Sequence, residues 1–124
     1  MSVAALQVQA LQKLLAERAA DSCSVEGLGG AFFPKAAEIA DNAWRLASEY
    51  DFTFPQTQGE RPPNLYEHLA HFAAVDALTT DDPDIHRLLV DVVSLCKPVS
   101  ALYEEPLRSR VAAEQRKHPE KYGL

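Results

Sequence analysis

The sequence has few cysteines and no long hydrophobic run. Its two cysteines, Cys23 and Cys96, are too few for a disulfide scaffold, so we expect buried or unreactive thiols. No apolar stretch approaches the roughly 20 residues that a transmembrane helix requires, and the chain does not begin with the basic segment of a secretory signal peptide. We therefore predict a cytoplasmic protein that does not enter a membrane.

The sequence also lacks an excess of basic residues. Twelve lysines and arginines stand against 18 aspartates and glutamates, which gives a net charge of −6. Because binding to a phosphate backbone depends on lysine and arginine, this balance disfavours nucleic acid as a partner. The hydrophobic content of 47% is ordinary for a globular protein, and a length of 124 residues predicts a single domain over 1–124.

No established catalytic or cofactor motif is present. The chain has no HExxH zinc motif and no nucleophile elbow, and its glycine-rich stretch GLGG, residues 27–30, fits neither common phosphate-binding pattern. Glu67, His68 and His71 come nearest to a metal site, because residues three or four apart share one face of a helix. No second helix offers matching ligands, so we expect neither a bound metal nor a cofactor.

Apolar residues recur with the period of an α-helix along most of the chain, which predicts an all-α bundle of about five helices. Asp82 followed by Pro83 is typical of a helix start, and Pro106 is expected to kink or restart the last helix. The predicted helices span residues 3–19, 35–50, 64–78, 83–96 and 99–116.

Two glycine- and proline-rich stretches, residues 21–33 and 51–63, are predicted to be loops. In the first loop, Phe32 and Phe33 are expected to close the end of the bundle, with Pro34 at the first helical position. For residues 117–124 two alternatives stay open: a frayed tail, or a tail docked by Tyr122 and Leu124.

The helix predicted at residues 64–78 is apolar around most of its circumference, and we expect it to be the central helix of the fold. Phe72 should be enclosed by the other helices. Asp76 falls within the apolar face, where a carboxylate needs a partner; a hydrogen bond near Thr79 or Thr80, or an ion pair with an arginine, would supply one.

Two functions remain open. The first is a small regulatory or accessory protein that binds another protein, because apolar helix faces occur without a catalytic set. Its first helix carries Val8, Leu11 and Leu15 at the spacing of a coiled-coil seam, which predicts a homodimer interface. The alternative is a ligand-binding or enzymatic bundle with a pocket near the 64–78 helix and the 51–63 loop. The side chains predicted to line that pocket are Trp44, Phe52, Phe54, Tyr66, His68, His71 and Asp76.

Overall fold

The computed structural model describes residues 1–21 and 24–123 and confirms the all-α fold class. Within these residues the chain forms five α-helices, three short 3-10 helices and no strand. Cys23 and Leu124 lie outside the described residues. The α-helices are α1 (Val3–Asp21), α2 (Leu28–Ser48), α3 (Leu65–Thr79), α4 (Pro83–Val93) and α5 (Leu107–Lys117). The 3-10 helices span Asp51–Thr53, Val99–Tyr103 and Pro119–Lys121.

The chain divides into two compact units, Met1–Arg45 and Leu46–Leu124. The prediction that residues 1–124 form a single domain stays a prediction. The first unit contains α1 and most of α2, where Leu14 and Ala36 are the buried hydrophobic residues. The side-chain amide of Gln7 donates a hydrogen bond to the Ala36 carbonyl at 3.3 Å. This unit therefore has very little core of its own.

The glycine-rich stretch is a tight turn followed by a helix, so the loop predicted at residues 21–33 is wrong for residues 28–33, which belong to α2. Gly27 has a φ of +70°, a conformation that glycine takes without steric cost, and α2 starts at the next residue. Pro34 consequently lies inside α2 and removes only one backbone hydrogen bond. Phe33 is 70% exposed, which contradicts the prediction that it closes the end of the bundle.

In the second unit, α3 packs against both α4 and α5, and it has the largest set of buried residues of any described helix. This agrees with the central position predicted for residues 64–78. Phe72 packs against the core but is only partly buried, because the innermost positions of α3 are occupied by smaller side chains. The core cluster consists of Ala70, Ala74, Val75, Ile85, Val92, Leu102, Leu107, Val111 and Tyr122.

The start of α4 follows the prediction. The Asp82 carboxylate accepts hydrogen bonds from the backbone N–H groups of Asp84 and Ile85, at 2.9 and 3.3 Å, and Pro83 is the first helical residue. The same carboxylate lies 2.5 Å from the Arg110 guanidinium of α5, and this contact, together with the two backbone bonds, lowers the pKa of Asp82. Asp82 thus both caps α4 and connects it to α5.

The end of α4 differs from the prediction, which extended this helix to residue 96. Leu95 has a φ of +58°, in the left-handed region, so α4 ends at Val93. The N–H of Cys96 then bonds to the Asp91 carbonyl at 2.7 Å, and the N–H of Leu95 bonds to Val92 at 3.0 Å. These two bonds form a Schellman motif, with leucine where glycine is usual. The thiol of Cys96 is free and exposed, so its predicted burial is wrong.

Pro106 restarts the chain as a separate helix, one of the two outcomes expected from its position. The residues before it form the 3-10 helix Val99–Tyr103, and α5 begins at Leu107. Beyond α5, Tyr122 is buried in the core cluster and its hydroxyl donates to the Glu114 carboxylate at 3.2 Å. Of the two alternatives for the tail, the structure supports docking through Tyr122.

Candidate functional site

His68 and His71 lie one turn apart on α3, and both contact Tyr103 at the end of the 3-10 helix Val99–Tyr103. The His71 ring stacks on the Tyr103 ring with a centroid separation of 4.0 Å and an interplanar angle of 9°. The His68 ring meets Tyr103 edge-on at 6.3 Å. Tyr103 therefore has an imidazole on its face and a second imidazole at a steep angle to it.

Each histidine also has a polar partner. His71 Nε2 lies 2.9 Å from the Leu102 carbonyl oxygen. Because a carbonyl only accepts, Nε2 must carry a proton and donate it. His68 Nδ1 lies 3.5 Å from a carboxylate oxygen of Glu49, which follows the end of α2. We call Glu49, His68, His71 and Tyr103 the histidine cluster.

The electrostatics of the histidine cluster favour a neutral His71. Burial lowers the pKa of His71 below its usual value of 6.5, because a charged imidazolium loses hydration inside the protein. The hydrogen bond to Leu102 opposes this effect, whereas the nearby His68 lowers the pKa further. His71 is therefore held neutral at pH 7, with its proton on the nitrogen that faces Leu102.

The histidine cluster does not have the composition of a metal centre. Among the described residues, no group of three or more histidine, cysteine, aspartate or glutamate side chains could hold a metal ion. Glu67, the third residue of the set considered from the sequence, is exposed on α3. The arrangement places a carboxylate beside His68 and positions Tyr103 against two imidazoles.

The other residues of the predicted pocket lie apart from the histidine cluster or outside the second unit. Tyr66 and Asp76 are exposed on α3. The expectation that Asp76 lies inside the apolar face is wrong: Asp76 is exposed although Ala74 and Val75 beside it are buried in the core. The hydroxyl of Thr79 donates to the backbone carbonyl of Asp76 at 2.6 Å, not to its carboxylate. Trp44 belongs to the first unit and is 71% exposed.

The two phenylalanines of the 51–63 stretch make contacts within that stretch and its border. Phe54 meets Tyr50 edge-to-face at 5.8 Å, and the Phe52 carbonyl accepts a hydrogen bond from Arg61 at 3.2 Å. The predicted pocket residues that the structure brings together are thus His68 and His71. Whether the predicted set binds a ligand stays a prediction.

Sequence reasoning missed Glu49 and Tyr103 as partners of the two histidines. Glu49 lies near the end of the predicted 35–50 helix, and Tyr103 lies within the predicted 99–116 helix. Neither residue stands at a helical spacing from His68 or His71, so only the folded chain shows the relation.

Removing the titrating group of His71 should reduce the loss of stability in acid. As the pKa of His71 is lowered in the folded state, the unfolded chain takes up this proton first. Protonation of His71 should therefore have no effect on the free energy of unfolding above about pH 6.5. Below that value it should lower the free energy of unfolding as the pH decreases. His71→Gln keeps an N–H donor for Leu102 but cannot titrate, so urea melts at pH 7.5 and 5.5 should differ less than in the wild type.

His86→Gln is the control for this measurement, since His86 is exposed on α4. It also replaces one histidine by glutamine, and it leaves the histidine cluster intact, so the pH dependence of the wild type should be kept. An unchanged pH dependence in His71→Gln would contradict the assignment of a lowered pKa to His71.

The residues predicted for a dimer interface lie along one side of α1. Val8 is 53% exposed, Leu15 is 42% exposed, and Leu11 is half-buried. Leu14, on a different side of the same helix, is buried. Helix α1 therefore has a buried apolar side with Leu14 and a second apolar side that is exposed to solvent.

No protein-family model, curated protein or solved structure matches the chain. Across residues 1–21 and 24–123, no helix combines the length and the apolar character needed to cross a membrane.

Proposed function

We propose that the protein is a small protein-interaction or regulatory protein that self-associates through α1. The observation that supports this function is the unequal distribution of apolar side chains between the two units. Of the twelve buried hydrophobic residues described, only Leu14 and Ala36 lie in the first unit. Of the eleven large hydrophobic residues described as exposed, six lie there: Met1, Val8, Val25, Leu15, Phe33 and Trp44.

A unit of this kind needs a further surface to cover it. Two helices that bury two small or medium side chains remove little apolar area from water, at about 25 cal/mol for each Å². Separate chains of about 40 residues or fewer usually need oligomerisation, a metal or disulfides to be stable, and the first unit is close to this length. Because Cys23 is the only cysteine within the first 45 residues, a disulfide inside this unit is excluded. Another protein surface that covers the exposed apolar side chains is the route that we propose.

A second copy of α1 fits the exposed seam. Val8, Leu11 and Leu15 alternate in steps of three and four residues, which is the spacing by which two helices interlock side chains. In a twofold dimer the same patch is used on both copies, so residues near Leu11 would lie next to their counterparts. The seam residues are all apolar, so a twofold dimer would not place like charges of the seam next to each other.

Light scattering on the purified protein tests the proposal. The wild type should show about twice the chain mass of 13.7 kDa at micromolar concentration. Leu15→Asp places a charge in the seam and should give a folded monomer, with helicity checked by circular dichroism. Gln9→Asp adds the same charge to an exposed position on another side of α1 and should remain a dimer.

Two results would overturn the proposal. A wild-type protein that stays monomeric at high micromolar concentration would mean that the seam has no second copy as partner. A dimer that survives Leu15→Asp as well as it survives Gln9→Asp would mean that self-association uses another surface.

A further inference from the structure

Helix α2 carries a second exposed apolar feature, an open groove with a volume of about 640 Å³. We call it the Trp44 groove. Alanines form its floor, Trp44 stands at one end, and two carboxylates lie beside it. Its lining residues are Ala37, Glu38, Ala40, Asp41 and Trp44.

The groove belongs to a continuous apolar stripe on the outer side of α2. Phe33, Ala37, Ala40 and Trp44 follow one another in steps of four, three and four residues, which places them on one side of a helix. The two aromatic residues are 70% and 71% exposed and stand about 16 Å apart along the helix axis. The alanines between them leave room for the side chains of a partner helix to approach the backbone of α2.

The charges beside the stripe indicate the chemistry of the partner. Glu38 and Asp41 are exposed and line the groove, whereas no lysine or arginine does. Arg45 follows Asp41 by one turn but is not part of the lining. A partner whose basic residues flank an apolar side would match both the aromatic ends and the acidic side of the groove.

A second copy of α2 matches the groove less well. Two antiparallel copies could place Phe33 beside Trp44 of the other copy, with the alanines in contact between them. The same arrangement would bring Glu38 and Asp41 of both copies together near the twofold axis. Like charges placed side by side are destabilising, so the charges favour a basic partner over a second copy.

We propose that the Trp44 groove binds a basic amphipathic helix of another protein. Its apolar side chains lie over Ala37 and Ala40 between the two aromatic residues, and its lysines or arginines face Glu38 and Asp41. An exposed tryptophan next to an apolar surface is a typical anchor of a protein interface. The groove is separate from the α1 seam, so this inference does not depend on self-association.

The only tryptophan of the chain lies in the groove, so its fluorescence reports binding directly. The probe is a synthetic amphipathic helical peptide of leucine and lysine, titrated into the full-length protein. The Trp44 emission should shift to shorter wavelength and saturate as the peptide covers the indole ring. The same peptide with glutamate in place of lysine should give no saturable shift.

Charge variants separate binding in the groove from general attraction to an acidic protein. The double variant Glu38→Gln, Asp41→Asn should weaken binding of the leucine–lysine peptide by roughly two- to thirtyfold, since each of two exposed ion pairs contributes about 0.2–1 kcal/mol. The double variant Glu67→Gln, Asp76→Asn is the control, because it changes the net charge equally at exposed positions of α3. Its affinity for the leucine–lysine peptide should lie within about twofold of that of the wild type.

Three outcomes would overturn the inference. The first is equal binding of the lysine and glutamate peptides. The second is equal weakening by the groove variant and the α3 variant. The third is a blue shift that appears on concentrating the protein without peptide and is abolished by Ala40→Glu, which would show that the groove is covered by a second copy.

Discussion

Leu102→Ala should lower the free energy of unfolding by roughly 2–5 kcal/mol, the range for leucine-to-alanine changes in a packed core. Leu102 is among the largest side chains that are fully buried, and it lies in the core cluster of the second unit. Removing it takes away its transfer energy and leaves a cavity that the surrounding helices fill only in part. Its backbone carbonyl, which accepts the hydrogen bond from His71, is kept in the variant, so the expected loss comes from the side chain alone.

Urea unfolding followed by circular dichroism measures this loss. Leu102→Met is the matched control, because it keeps a similar volume and should cost less than about 1.5 kcal/mol. If Leu102→Ala cost no more than Leu102→Met, the 3-10 helix Val99–Tyr103 would not be part of the core.

Two neighbouring valines of α4 give the second large effect. Val92 is fully buried and Val93 is 55% exposed, although the two side chains are chemically identical and adjacent. Val92→Ala should cost about 2 kcal/mol, since it removes two buried carbon groups of about 0.8 kcal/mol each and leaves a small cavity. Val93→Ala should change the free energy of unfolding by no more than about 0.5 kcal/mol.

The comparison of Val92→Ala with Val93→Ala tests the orientation of α4 without any change of chemistry. Both variants remove the same atoms and gain the same helix propensity, so the difference in urea midpoint isolates burial. Equal losses in the two variants, or a larger loss for Val93→Ala, would mean that α4 is rotated from the position described.

The parts of the fold that could be predicted from the sequence are those controlled by local chemistry. Asp82 and Pro83 set the start of α4 through a cap and a fixed backbone angle, and these require only neighbouring residues. Pro106 separates two helices for a similarly local reason. Periodic apolar residues on α3 predicted its central position because a helix that is apolar on most sides has to be enclosed.

The sequence does not predict which of two apolar helix sides is buried, or which segments distant in sequence come into contact. Helix α2 has two apolar sides, one with Ala36 and one with Phe33 and Trp44, and periodicity alone does not say which of them is buried. The larger aromatic residues suggested the wrong side in the case of Phe33. Glu49 and Tyr103 come to the two histidines from segments distant in sequence. Their contacts with the histidines follow only from the packing of the second unit.

The Schellman motif at the end of α4 affects the unfolded chain as well as the folded one. A leucine in the left-handed conformation costs roughly 1–2 kcal/mol, which glycine would not cost. Glycine, however, would give the unfolded chain more conformational freedom, and that entropy would be lost on folding. Leu95 thus makes the turn harder to adopt, which lowers the free energy of unfolding. It also restricts the denatured chain, which raises the free energy of unfolding. The bonds to Asp91 and Val92 hold the turn against the preference of the residue itself.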